Sequence, residues 1–362
     1  MASTQQSALH QNGAMSEAHP PPYDALVLVS FGGPEGPDDV LPFMENVTRG
    51  RAIPRDRLVA VSAHYQHFGG RSPINDQNRA LLSALRAELP QLHIYWGNRN
   101  WHPYLADTFA DMHRDGVRRA LAFVTSAFSS YSGCRQYRDD IEAARGVVEV
   151  DNLRVFYNHP GFIEPLVDAT RTAIERLAAR LPAATPSTHS THTTPALVFT
   201  AHSVPRSMAD TSDYVVQLRE SCALVAAGVG VDVWDLVWQS RSGPPTQPWL
   251  EPDISDHLRQ LAASGCLGVV VVPVGFISDH MEVVWDLDTQ AAGVAAQLGL
   301  AMERAATVGI DPRFVAMIRE LVEERVALAC GEVPIRRSLG VRTANHDVCP
   351  VDCCPGPMGR PR

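Results

Sequence analysis

Short runs of unbroken apolar sequence, separated by longer amphipathic stretches, constrain this chain more than any other feature. Residues 24–30 (DALVLVS), 119–125 (RALAFVT), 196–201 (ALVFTA) and 268–274 (GVVVVPV) are apolar at most positions, and weaker runs occur at 92–97 and 236–240. A strand with one wet face alternates in polarity. A strand covered on both faces reads as a continuous apolar run, the pattern of a parallel sheet between helices. Helical periodicity fills intervals at 78–87, 104–115, 165–180, 213–227 and 312–328. This alternation of strand and helix predicts the α/β class.

The two halves repeat one another. Residues 25–34 (ALVLVSFGGP) can be laid on 196–205 (ALVFTAHSVP), which sets Phe31 on His202, and 116–130 can be laid on 265–279 in the same order. The expected architecture is two Rossmann-like lobes, each a parallel sheet flanked by helices. In open α/β sheets ligands bind beyond the carboxyl ends of the strands, so the loops after these four runs are expected to face one cleft. The 362 residues suit two domains. The expected divisions are a disordered tail at 1–22, a first lobe at 23–160, a second lobe at 161–310, a helical segment at 311–340 and a cysteine-containing tail at 341–362. Residues 182–195 (PAATPSTHSTHTTP) are too poor in apolar side chains to order themselves and read as a flexible insertion whose histidines are spacer rather than metal ligands.

The net charge is −9 and the pI about 5.8, which argues against nucleic acid as the main partner, since phosphate binding needs a basic footprint. A small anionic substrate needs only a locally basic pocket. No apolar run reaches the length of a membrane span. The first 22 residues lack the cationic and apolar regions of a secretory signal, so a cytoplasmic location is expected.

Two segments carry the chemistry. His202 follows an apolar run in FTAHSVP, where α/β proteins place reactive groups. Residues 278–288 (SDHMEVVWDLD) follow another and gather His280, Glu282, Asp286 and Asp288 at a helix start. Glu282 and Asp286, four apart, share a helix face. Asp279 with Glu282 also has capping-box spacing, and a cap and a site both fit the segment. Imidazole and carboxylate together suit a divalent first-row metal such as Fe(II). Turn-rich loops at 69–75 (GGRSPIN), 98–103 (NRNWHP) and 238–252 (WQSRSGPPTQPWLEP) offer aromatic walls and donors for an organic ligand.

Taken together and in this order, LVSFGGP, GGRSPIN, FTAHSVP, WQSRSGPP with PWLEP, and PVGFISDHMEVVWDLD resemble the ferrochelatase family over residues 25–314. SFGGPEGP, ENVTRGR, HYQHFGG and GNRNW resemble its actinobacterial branch. The resemblance implies a porphyrin cleft between the lobes and a lyase that inserts Fe(II) into the macrocycle for heme biosynthesis. It implies that His202 and Glu282 hold the metal, that Asp286 helps to move protons or metal, and that Asp279 and His280 support them. Asp286 is one methylene shorter than the family's acid. Ser72 and Tyr137 match porphyrin-contacting positions, and Tyr65 and Trp249 fall as cleft neighbours. Arg99, with Arg49, Arg51 and Arg71, would supply donors to propionates. Phe31 stands where relatives from Firmicutes carry a tyrosine that ligates product iron, so here it can form only an apolar wall. The branch implies coproporphyrin III as substrate and coproheme as product, with protoporphyrin IX as the alternative and transient contact with neighbouring heme-pathway enzymes. A cobalt or nickel tetrapyrrole chelatase and a non-catalytic heme-binding protein are the other classes to be separated.

Seven cysteines in a chain without a secretory signal do not suggest a disulfide framework. The resemblance implies a [2Fe–2S] cluster on Cys134, Cys349, Cys353 and Cys354, although the C-x3-C-C spacing departs from the family's forms. Four thiolates equally suit Zn(II), and a tail of reduced thiols without metal is the third option. Cys222, Cys266 and Cys330 read as buried packing residues.

Overall fold

The structure is a computed structural model and describes residues 21–50, 53–181, 195–244 and 246–356. The readings of 1–22 as a tail and 182–195 as an insertion fall almost wholly outside the described residues, and Arg51 lies outside them. The first half of the chain runs β1 (Ala25–Ser30), α1 (Val40–Val47), α2 (Arg55–His67), α3 (Ile74–Glu88), β2 (His93–Asn98), α4 (Leu105–Arg114), β3 (Arg119–Val124), α5 (Gln136–Ala144) and β4 (Glu149–Asn152). The second runs α6 (Pro160–Arg180), β5 (Ala196–His202), α7 (Arg206–Ala209), α8 (Tyr214–Val229), β6 (Trp234–Gln239), α9 (Ile254–Ala263), β7 (Gly268–Val272), α10 (Met281–Val284), α11 (Ala292–Gln297), β8 (Ala301–Arg304) and α12 (Pro312–Ala329). Every pairing within the two four-stranded sheets is parallel, in the orders β2-β1-β3-β4 and β6-β5-β7-β8. The repeat read from the sequence is therefore a repeat of topology, with β1 and β5 in equivalent central positions.

The continuous apolar runs are explained by burial on both faces. Along β1, Leu26 and Leu28 point into one core, while Ala25, Val27 and Val29 point into another on the opposite face, as the two-residue period of a strand requires. The first of these cores is shared: Leu26, Leu28 and Phe123 of one sheet meet Leu197, Phe199 and Val272 of the other through α3, α6, α8 and α12. α6 starts at Pro160, five residues before the sequence suggested. His159 caps it by accepting from Gly161 N at 3.1 Å, and Pro160 at the first helical position loses no helical bond, whereas Pro165, inside the helix, forgoes one. Gly161 lies so close to α12 that an added Cβ would sit 2.6 Å from the Arg313 carbonyl.

β4 and β8 carry no apolar run because each is a four-residue edge strand with half-exposed side chains. Cys222 and Cys266 are buried as expected, but Cys330 is exposed. The reading of Cys330 as a packing residue is corrected because α12 ends there, and the residue forms its C-terminal cap rather than part of its buried face. Among the described residues no helix is long and apolar enough to cross a membrane.

Candidate functional site

His202 is the last residue of β5 and pairs in register with Gln239, the last residue of β6. The Tyr214 hydroxyl donates to its backbone carbonyl at 3.0 Å. Its ring Nδ1 faces the Ser203 carbonyl, which can only accept, so Nδ1 carries a proton and Nε2 is the free end. Nε2 lies 3.4 Å from Glu282 Oε1. Glu282 is placed by two backbone contacts: its N–H donates to His280 Nδ1 at 3.2 Å, and its carbonyl accepts from the buried Gln239 amide at 2.7 Å. The ends of β5 and β6 thus grip the helix that bears the carboxylate.

The capping-box reading of Asp279 is corrected here. His280, not Asp279, is the N-cap of α10. The Asp279 carboxylate is turned away to Arg304 and Thr307, at 3.2 and 3.1 Å, because the salt bridge and hydroxyl satisfy it better than one amide would.

After one α-turn the chain widens into a π-helical turn over Asp286–Ala291, the irregularity often found where a helix serves a site. Asp286 opens that turn and accepts from the Ser240 hydroxyl. Ser240 has φ of +63°, an uncommon conformation for a residue with a Cβ, costing about 1 kcal/mol. The neighbouring Trp285 stacks on His64 at a centroid distance of 4.1 Å, with His67 and Phe68 edge-on. α2 of the first lobe thereby closes onto the acidic helix of the second.

Burial alone would lower the His202 pKa, but the Glu282 carboxylate outweighs it and holds the imidazole above its ordinary value. Burial would raise Glu282, and the facing imidazole outweighs that, holding the carboxyl below its ordinary range. The two form an ion pair around neutral pH. Asp286 behaves differently. Burial and the negative Glu282 push it up to about 7, against the lowering effect of the Ser240 hydrogen bond.

Across from this pair stands an aromatic wall. Phe31, at the end of β1, is 37% exposed and meets Phe43 edge-on at 6.2 Å; Phe43 in turn meets Tyr65 and Trp101, both at 6.0 Å. Tyr65 is held above its ordinary pKa by burial and by the negative charges of Glu282 and Asp286, so the wall and the acidic pair feel one another. The remaining expected contacts lie deeper. Arg99 places its guanidinium 5.9 Å from the Phe31 ring and 4.4 Å from that of Tyr137, and pairs with Asp140. Ser72 and Tyr137 are buried, Ser72 directly beneath Gly33. Trp249 is buried beside the loop after His202, bridging Pro205. Arg71 is held by Asp76 at 2.6 Å, and Arg49 is exposed. A groove of about 610 Å³ along the outer edge of β2 contains none of these residues, so volume alone does not locate the site.

Sequence reasoning missed Gln239, Ser240, Tyr214, Trp285 and His64. Gln239 and Ser240 were within reach, since the residues ending the strand beside His202 must flank it. α2 had no apolar stripe to announce it and buries only Leu58 fully.

The cysteines also converge. The Cys134 thiol, in a π-helical turn at Tyr131–Arg135, lies in the surroundings of Cys349, Cys353 and Cys354, and Cys353 Sγ lies 3.5 Å from Cys354 Sγ. Donor atoms of His346, Cys349 and Cys353 lie within 4.8 Å of one another. Arg135 donates to the Val351 and Cys353 carbonyls at 2.6 and 3.4 Å, fixing the C-terminal segment on that turn. Cys134 and the cysteines of the C-terminal segment, with Cys354 only 4% exposed, bring together thiols of the kind that a [2Fe–2S] cluster or Zn(II) takes, while among the described residues the donor atoms that all lie within 4.8 Å of one another are those of His346, Cys349 and Cys353.

The ferrochelatase family model matches residues 23–326. A coproporphyrin III ferrochelatase of Streptomyces coelicolor is 51% identical over 94% of this chain and 95% of its own length. One from Frankia alni is 54% identical over 94% of this chain and 88% of its own. A ferrochelatase of Rhodopirellula baltica is 51% identical over 92% of this chain and 94% of its own. Among solved structures, SirB from Bacillus subtilis with Fe3+ aligns with a TM-score of 0.51 at 10% identity, over 86% of this chain and 98% of that one, which shows a shared fold.

Proposed function

The chain belongs to the ferrochelatase family, and from that premise we propose that it inserts Fe(II) into coproporphyrin III to give coproheme in heme biosynthesis. The observation that carries the reading is the His202–Glu282 pair at 3.4 Å, an open imidazole–carboxylate donor set facing an aromatic wall. Fe(II) replaces two pyrrole protons, so the site must hold a divalent metal and remove two protons.

His202 Nε2 and Glu282 supply the metal donors, and few protein ligands leave positions free for transfer. Metal arriving at the pair displaces the proton that His202 carries. Asp286, poised near neutrality, accepts protons and releases them to solvent. Ser240 holds its carboxylate in place. Phe31 and Tyr65 form the face against which the macrocycle lies, and Arg99 stiffens Phe31 from behind through its own pairing with Asp140. Ser72, Tyr137 and Trp249 support the loops that line the cleft.

Anaerobic Fe(II) insertion into coproporphyrin III and protoporphyrin IX, followed side by side by absorbance, tests the assignment. Faster turnover of coproporphyrin III is expected. Preference for protoporphyrin IX would overturn the substrate, and insertion into neither would overturn the activity.

The rate is also expected to rise with pH through a limb near 7, because only ionised Asp286 accepts a proton. Ser240→Ala removes a bond that lowers the Asp286 pKa, so the limb moves to higher pH. Asp286→Asn removes the limb and lowers turnover about a hundredfold. An unchanged limb in Asp286→Asn would show that another group titrates.

The four converged thiols support a [2Fe–2S] cluster on Cys134, Cys349, Cys353 and Cys354. Cys134, Cys349, Cys353 and Cys354 would hold the cluster, which would tie the C-terminal segment to the turn after β3, and metal insertion itself uses only His202, Glu282 and Asp286. Full-length protein purified anaerobically should show visible charge-transfer bands that Cys134→Ser abolishes. Colourless protein with stoichiometric zinc would overturn the cluster in favour of Zn(II).

A further inference from the structure

The Gln77 side chain spans the two lobes. It lies on α3 of the first lobe, and its amide donates to the Asp279 carbonyl at 2.6 Å while its carbonyl accepts from the Asp279 N–H at 2.8 Å. A primary amide thus pairs with both backbone groups of one residue, across 202 residues of sequence. Asp279 cannot swing to follow it, because its carboxylate is fixed by Arg304 and Thr307. The next residue, His280, caps α10 and positions Glu282.

The other end of the connection is equally defined. Two residues before Gln77, Asn75 donates to the Gly33 carbonyl at 3.0 Å. Ser72 N–H donates to the Pro34 carbonyl at 2.9 Å, and Ser72 packs beneath Gly33, where an added Cβ would come within 2.7 Å of its own. These contacts hold the loop that carries Phe31. The first turn of α3 therefore grips the apolar wall on one side and, through Gln77, the segment bearing the metal carboxylate on the other.

We propose that Gln77 is a positioning residue that sets the separation between the Phe31 wall and the His202–Glu282 pair, and so the fit of the macrocycle between them. The inference rests on the ferrochelatase reading. Gln77 does not touch the reacting atoms. His202 and Glu282 are joined to one another through Gln239 within the second lobe, so their own geometry does not pass through Gln77.

The test uses the full chain carrying Gln77→Ala and, separately, Gln77→Glu. The second keeps the heavy-atom shape but cannot donate to the Asp279 carbonyl, and it carries the test if the first does not fold. Fluorescence titration with coproporphyrin III alone should show weaker binding, and kcat should fall by about tenfold to a hundredfold, the scale of a misplacement near 1 Å. The KM for Fe(II) should stay within about twofold, as expected when the metal pair is intact, and the pH limb should not move. Wild-type porphyrin affinity and turnover in folded Gln77→Glu would overturn the proposal. So would a loss that falls on the Fe(II) KM or displaces the pH limb, since that would place Gln77 in the metal pair's own environment. Failure of the wild-type protein to insert iron would instead overturn the ferrochelatase reading, a separable outcome.

Discussion

His202→Ala is expected to lower Fe(II) insertion by about a thousandfold or more while coproporphyrin III still binds. The substitution removes one of the two proposed metal donors and leaves the half-exposed Glu282 without its counter-charge. It also removes the strand-terminal ring nitrogen that faces the carboxylate. The aromatic wall of Phe31, Phe43 and Tyr65 belongs to the other lobe and does not depend on the imidazole. Binding and turnover should therefore separate. Fluorescence quenching by the mutant gives the first, and absorbance under anaerobic iron gives the second. Turnover near that of wild type would remove His202 from the mechanism. Loss of porphyrin binding together with turnover would show that His202 shapes the cleft rather than holding metal.

Arg154→Met is expected to destabilise the protein by about 3–5 kcal/mol. The Arg154 side chain has no exposure and Glu324 only 5%. They meet through two parallel bonds of 2.7 and 2.9 Å, and Arg154 also donates to the Arg337 carbonyl at 3.2 Å. This joins the segment after β4 to α12 and to the chain beyond it. Removing one partner strands a charge in the interior, which costs more than the pair contributes while intact. Pairing the substitution with Glu324→Leu should recover much of the loss, because both charges then leave together. Denaturant unfolding measures both variants. A single-mutant loss below about 1 kcal/mol would mean that water reaches Glu324 and that the pair is not a buried one.

The apolar pattern of the sequence marks the interior strands. The runs at 24–30, 119–125, 196–201 and 268–274 are unbroken because β1, β3, β5 and β7 are interior strands covered on both faces, and a two-sided burial leaves its mark on every residue. β4 and β8 left no such mark, since an edge strand of four half-exposed residues needs no apolar period. The same logic hid α2, which lies across the cleft and buries almost nothing of its own.

For the site, His202 and the acids at 282 and 286 stood out because each follows a strand that the apolar pattern had already located. The sequence by itself therefore determined the fold class, the repeat of one lobe in the other, and the strand ends at which chemistry could sit. Tertiary structure alone decided which groups meet: His202 with Glu282, Ser240 with Asp286, Gln77 with the Asp279 peptide, and Cys134 with the thiols beyond residue 340. It also decided that His280 rather than Asp279 caps α10, and that Cys330 faces solvent. The physical reason is the range of the interactions. Helical and strand periods arise from neighbours within a few positions, and burial imprints them on the local sequence. A hydrogen bond between residues two hundred positions apart imposes no period, and only the packing of the two sheets on their shared core brings its partners within reach.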